Sequence, residues 1–224
     1  MSKPIAAVSW SGGKDSCLAL HRARQDYDIR ALVTMLTEDG VRSRSHGLRP
    51  EVLERQAAAL GFELVCGRAS WESYEAEFAR LLHDLRLRGF THVVFGDILF
   101  QHHRGWTQRL CAQAGLEAVE PLFEECTGRV VQEFLDLRGE ALIVTVRDAC
   151  LDETWLGRKL NSELIQEFKR RNVDPSGENG EYHTLVAYFP GFSVPLRLKE
   201  LGKHRHNGCT MLDLAAELQA PSVR

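Results

Sequence analysis

The stretch IAAVSWSGGKDSCLAL, residues 5 to 20, restricts the fold more than any other part of the chain. The apolar run Ile5-Ala6-Ala7-Val8 reads as a strand over residues 5 to 10, and residues 16 to 25 read as an amphipathic helix. Between them lie Ser11, Gly12, Gly13, Lys14, Asp15 and Ser16. Glycine lets the backbone take positive φ and approach an anion closely, and the helix that follows aims unpaired N–H groups at it. Lys14 adds a positive charge, and Ser11 and Ser16 add hydroxyl donors. A plain turn with a helix cap at Asp15 or Ser16 would need neither the glycine pair nor the lysine. The junction predicts a phosphate cradle on a strand–turn–helix unit.

The same alternation continues. Strands are expected at 29–36, 62–66, 91–96 and 140–146, and helices at 51–61, 72–89, 106–115 and near 160–171. Continuous Val/Ile/Leu runs point to strands buried on both faces, as in a parallel sheet, and their alternation with helices points to a doubly wound α/β fold. Beyond residue 120 the alternation loosens, so the chain divides into a nucleotide-binding domain, 1–120, and a smaller C-terminal α/β lobe, 121–224, read as mainly helical. Ligands of such sheets sit beyond the carboxyl ends of the strands. The loops after residues 10, 37, 66, 96 and 146 are therefore the places for a site. With a net charge of −3 the chain has no general attraction to nucleic acid or anionic membrane, although a local basic patch is compatible with it. Its six cysteines are scattered with no C-x-x-C pair, which suits a reducing, cytoplasmic setting. The start, Met1-Ser2-Lys3-Pro4, carries no leader-like pattern, and no apolar run reaches the roughly 20 residues of a membrane span.

The Walker A pattern needs a glycine five positions before Gly13, where Val8 stands, and it has no aspartate directly after the lysine. The string instead matches S-G-G-x-D-S, and so resembles the pyrophosphate loop of the ATP pyrophosphatases, which cleave ATP between the α and β phosphates. Three later stretches narrow the likeness: SRSHGL (43–48), LDETWLGR (151–158) and GENGEYHT (177–184). With SGGKDS, His46 and Gly96-Asp97, they resemble the diphthine–ammonia ligase family over nearly the whole chain. That resemblance implies a Rossmann-like (HUP-type) parallel sheet with helices on both faces. It also implies an activity that joins a carboxylate to ammonium with release of AMP and pyrophosphate.

The resemblance further implies ATP and Mg²⁺ as cofactors. Ser11, Gly12, Gly13, Lys14 and Ser16 would hold the β and γ phosphates, Asp15 the metal, and residues 33–36 the adenine, with His46, Gly96, Asp97 and Arg158 also around the nucleotide. Lys14, Glu178, Glu181 and His183 would be catalytic, the last three binding ammonium and taking its proton. For Arg158 a surface ion pair, and for His46 a structural hydrogen bond, are equally good readings. His102-His103 and HRHNGC (204–209) lack a convincing metal-ligand set and read as solvated basic turns. The family's Gln-Arg-x-Arg-x-Glu stretch is HHRGWTQR here (102–109), which keeps Arg104 and places Gln108 at the acid position. The partner would be a translation elongation factor carrying diphthine if the source is archaeal or eukaryotic, and another carboxylate otherwise. No membrane partner is expected, and a homodimer is compatible with the sequence. Two rival readings share the loop: a tRNA-thiolating enzyme, which needs catalytic cysteines and a basic surface, and a nucleotide-binding sensor without chemistry.

Overall fold

The computed structural model describes residues 2–217, and the outer ends of the two expected domains, residue 1 and residues 218–224, lie outside the described residues. Its first half alternates β1 (Ile5–Ser9), α1 (Lys14–Ala23), β2 (Asp28–Leu36), α2 (Pro50–Leu60), β3 (Glu63–Arg68), α3 (Tyr74–Leu87), β4 (His92–Val94), α4 (Gln101–Gln113) and β5 (Glu117–Val119). The five strands form one parallel sheet in the order β3-β2-β1-β4-β5. This is the doubly wound, Rossmann-like arrangement that the apolar runs predict, with two differences: the short edge strand β5 was not expected, and the run at 140–146 belongs to a second, antiparallel sheet. The strand order reverses at β1, between β2 and β4, so the crevice for a ligand opens where the phosphate loop leaves the sheet.

β1 shows why its sequence is continuous rather than alternating. Ala6 and Val8 face the core that α1 and α2 cover, and Ala7 faces the core that α3 and α4 cover. All three are fully buried. The first of these cores does not stop at residue 120. It runs on through Val130 and Phe134 of α5 (Thr127–Asp136), Ile143 and Val144 of β6 (Glu140–Arg147), and Phe168 of α6 (Ser162–Arg170). The second lobe is seated on the α1/α2 face and shares its apolar interior.

The C-terminal lobe corrects the expectation of a mainly helical unit. Besides α5 and α6 it holds β6, β7 (Tyr182–Tyr188), β8 (Leu198–His206) and β9 (Cys209–Ala216), an antiparallel sheet in the order β7-β6-β9-β8. β9 buries every second residue of CTMLDLAA, and β8 is largely exposed, so neither carries the unbroken apolar run of a parallel strand. The basic stretch HRHNGC is the β8–β9 hairpin. Asn207 and Gly208 take φ of 48° and 73°, the left-handed pair that a two-residue hairpin turn requires. α4 also begins earlier than expected, at Gln101, which puts His102 and His103 on its first turn rather than in a loop.

Candidate functional site

The phosphate loop occupies the four residues between β1 and α1. Gly12 has φ of +81°, and a Cβ there would lie 2.8 Å from both Gln56 Oε1 and Leu53 Cδ2, so only glycine fits. The loop is gripped from two sides. Gln56 of α2 is fully buried, and its Nε2 donates to the carbonyls of Gly12 (3.0 Å) and Val186 (2.8 Å). Its Oε1 accepts from Trp10 Nε1 at 2.9 Å. From β7, the Val186 amide donates to the Gly12 carbonyl at 3.0 Å, and Thr184 Oγ1 accepts the Lys14 amide at 3.1 Å. Sequence reasoning missed Gln56 and Thr184. For Gln56 there was a signal: it sits in the buried stripe Val52, Leu53, Gln56, Ala57, Leu60, where a polar residue needs a reason.

A cavity of about 760 Å³ lies over the carboxyl ends of β1, β2 and β4, and its walls have two chemistries. One end is polar, with Ser11, Lys14, Asp15, Ser16, His46, Glu178 and His183. The other is apolar, with Val33 and Met35 of β2, Phe78 and Tyr74 of α3, Phe95, and Trp106 of α4. At the polar end Lys14 is only 3 % exposed; its Nζ donates to Asp15 Oδ2 at 2.8 Å and to the Ser176 carbonyl. The ammonium thereby ties the phosphate loop to the loop of Gly177–Gly180. Asp15 Oδ1 is buried with no partner among the described residues, and burial raises the Asp15 carboxyl above its usual range against the pull of Lys14. The Ser11 and Ser16 hydroxyls lie 3.1 Å apart. Gly96 and Asp97 follow β4; a Cβ on Gly96 would stand 2.8 Å from the Ser16 amide nitrogen.

The second-lobe loop is folded around Asp174, whose Oδ1 accepts the amides of Ser176 (2.8 Å) and Glu178 (3.2 Å). This turns Glu178 into the cavity. There burial first, then the charge of Asp15, push its carboxyl up to about 7, with Lys14 opposing. Glu181 goes elsewhere. Its Oε1 accepts from the Asp174 amide and from Asn179 Nδ2, both at 3.1 Å, and it does not line the cavity. The geometry makes it a brace of the loop.

His46 and His183 do meet, as stacked rings with centroids 4.6 Å apart. His46 Nδ1 lies 2.9 Å from the Thr184 carbonyl, which can only accept, so Nδ1 carries the proton and Nε2 is left with its lone pair. Burial lowers both imidazoles, His183 to about 4, with Lys14 adding to the effect. The pair is therefore neutral at pH 7. Arg158 is not brought to the cavity: it pairs with Glu167 at 3.0 Å and lies 4.4 Å over the Trp155 ring, as a surface ion pair would. The remaining surprise is His103, which lines the cavity with its Nδ1 3.3 Å from Asp97 Oδ1.

Among the described residues no three His, Cys, Asp or Glu side chains are set to hold a metal ion. A magnesium ion that keeps several waters and is shared with phosphates needs only one or two carboxylates, and the partnerless Oδ1 of Asp15 suits that role. No described helix is long and apolar enough to cross a membrane.

Comparison with known proteins bears on this geometry. Residues 5–118 match the family described as diphthamide synthase N-terminal domain, and residues 127–218 the one described as diphthamide synthase C-terminal domain. A curated relative, the diphthine–ammonia ligase of Schizosaccharomyces pombe, is 26% identical over 219 residues. That alignment takes in 87% of this chain and 36% of the relative, so the chain spans about a third of its length. A solved structure titled as a predicted subunit of tRNA methyltransferase from Methanocaldococcus jannaschii superposes with a TM-score of 0.42 at 16% identity, covering 84% of this chain and 98% of that one.

Proposed function

The chain belongs to the diphthamide synthase family, and from that premise we propose that it is an ATP-dependent ligase. It would activate a carboxylate as its acyl-adenylate and pass the acyl group to ammonia, releasing AMP and pyrophosphate. The observation that carries the reading is the joining of two loops in one cavity. Lys14 of the phosphate loop bonds to Ser176, two residues before Glu178, so a pyrophosphate cradle and a carboxyl base face each other.

In this reading Lys14, Ser11 and Ser16 hold the β and γ phosphates, and the purine lies against Val33 and Met35 at the apolar end. Asp15 would hold Mg²⁺, which when bound neutralises the charge that develops on pyrophosphate. Glu178, whose carboxyl titrates near neutrality because it is buried among other acids, attracts ammonium as the carboxylate and then takes a proton from it. His46 and His183 stay neutral and present hydrogen-bonding edges rather than charge. Glu181 and Arg158, which do not line the cavity, are given no chemical step in this reading. Against tRNA thiolation, no cysteine among the described residues lines the cavity.

The test is a reaction of the purified protein with ATP, Mg²⁺, ammonium and a translation elongation factor carrying diphthine, the group that the name of the Schizosaccharomyces pombe relative contains. AMP and pyrophosphate should form in step with an amide, and Lys14→Ala should abolish both. ADP as the nucleotide product would refute the adenylating mechanism.

A further inference from the structure

Resting on the ligase reading above, we propose that His103, oriented by Asp97, is a second base for the incoming ammonia, working across the cavity from Glu178. The need for it comes from proton counting. Ammonium has four N–H bonds and the product amide has two, so two protons must leave the nitrogen. The C–N bond forms at the acyl carbon, the C–O bond to the AMP phosphate breaks, and that electron pair leaves with AMP. One carboxylate takes up one proton; the other needs a second acceptor in the same cavity.

The other candidates are spoken for. Lys14 is cationic and is bonded to Asp15 and Ser176. Asp15 is paired with Lys14 through one oxygen and its other is assigned to the metal, while Glu181, bonded in its own loop through Oε1, does not line the cavity. The stacked His46 and His183 are buried beside Lys14, which disfavours a proton on either. His103 stands in the opposite environment. It occupies the first turn of α4, lines the same cavity as Glu178, and has Asp97 Oδ1 3.3 Å from its Nδ1. A carboxylate accepts, so Nδ1 carries the proton and Nε2 keeps its lone pair. A proton taken at Nε2 yields an imidazolium facing the Asp97 carboxylate, the same arrangement by which a buried acid orients and supports a catalytic histidine. The hydrogen bond to Asp97, with the Glu178 charge behind it, holds this imidazole above its ordinary range while burial works against them. Its neighbour His102 also lines the cavity but has no carboxylate bond among the described residues. Asp97 acts here as a positioning residue.

The experiment compares two nucleophiles. Hydroxylamine is neutral at pH 7 and sheds only one proton to become a hydroxamate, so it needs one base where ammonium needs two. Wild type, His103→Gln and Asp97→Asn are assayed with ATP, Mg²⁺ and the diphthine-bearing elongation factor. With ammonium, His103→Gln should lower kcat for amide formation by about 10²-fold. Pyrophosphate exchange into ATP and hydroxamate formation should be unchanged. Asp97→Asn keeps an acceptor but loses the charge, and should give an intermediate loss in kcat with ammonium. The side chain of His103 is 54% exposed, and glutamine keeps bulk beside the Phe100 and His102 rings that it packs against, so the fold should be unaffected. Equal losses with both nucleophiles, or no loss with ammonium, would overturn the inference. A wild-type protein that makes neither AMP nor amide would bring down the ligase reading and this one together; an active wild type with an unaffected His103→Gln overturns this one alone.

Discussion

Replacing Gln56 with leucine probes the coupling between the phosphate loop and the second lobe. The change keeps volume and removes three hydrogen bonds inside a fully buried site. The Gly12 carbonyl still has the Val186 amide, so two groups are orphaned: the Trp10 indole N–H and the Val186 carbonyl. A buried donor or acceptor left unsatisfied costs about 1–3 kcal/mol, and leucine returns part of that by burying more apolar surface, so Gln56→Leu should destabilise by about 2–4 kcal/mol. For a chain of this size that is a fall in Tm on the order of 10 °C. Urea titration measures the free energy, and calorimetry with a non-hydrolysable ATP analogue measures the loop, whose affinity should fall as Gly12 loses a restraint. Gln132, exposed on α5 and bonded only to Asp136, is the control, and Gln132→Leu should lie within about 0.5 kcal/mol of wild type. If Gln56→Leu matches that control in both assays, the loop is not held by the second lobe and the reasoning fails.

Two other predictions follow from the site. Folding raises the Glu178 carboxyl from its ordinary value to about 7, so the folded state binds the extra proton between roughly pH 4.5 and 7 and stability falls as pH rises through that window. Wild type should lose up to about 3 kcal/mol relative to Glu178→Gln between pH 5 and pH 8; parallel stability curves for the two would contradict the environment assigned to Glu178. Arg158→Ala breaks only the surface pair with Glu167 and the contact with Trp155, so it should cost at most about 1 kcal/mol and leave nucleotide affinity where it was. A large loss of affinity, measured by the same calorimetry, would restore Arg158 to the site.

What could be read from the sequence divides along physical lines. The parallel half was legible because strands buried on both faces are written as unbroken apolar runs, as in Ile5–Val8, and each is followed by an amphipathic helix. Of the antiparallel half only β6 was legible, and its apolar run pointed to parallel pairing; β9 buries alternate residues and β8 buries almost none, so neither announced itself. Individual loops announced themselves by composition, and GENGEYHT did bring Glu178 to the cavity. Composition could not tell that Glu181, three residues on, faces the Asp174 amide instead. His103 was passed over for a related reason: its value depends on Asp97, six positions away, and on α4 beginning at Gln101.

The phosphate loop itself turns out to have fewer free amides than a helix N-terminus suggests. The Gly13 amide is directed at Ser11 Oγ, the Lys14 amide at Thr184, and the Cys17 amide at the Gly13 carbonyl. Asp15 and Ser16 are the α1 first-turn amides left for an anion, and a side chain at residue 96 would press on the Ser16 nitrogen. A methyl group there would meet the Ser16 nitrogen at 2.8 Å and the Asp15 carbonyl carbon at 2.9 Å, both backbone atoms that cannot rotate away. The backbone of Gly96 does not require positive φ, so Gly96→Ala is a steric change without a conformational one. Gly105, inside α4, is the matched control: a Cβ there meets nothing, and Gly105→Ala should stabilise the helix by about 0.5–1 kcal/mol without touching nucleotide affinity. Gly96→Ala should weaken binding of the ATP analogue at least tenfold, because losing one hydrogen bond to a charged phosphate removes about 1.5–3 kcal/mol. Equal affinities for the two alanine variants would mean that the phosphates do not sit on the Ser16 amide, and that Lys14 and the metal alone hold them.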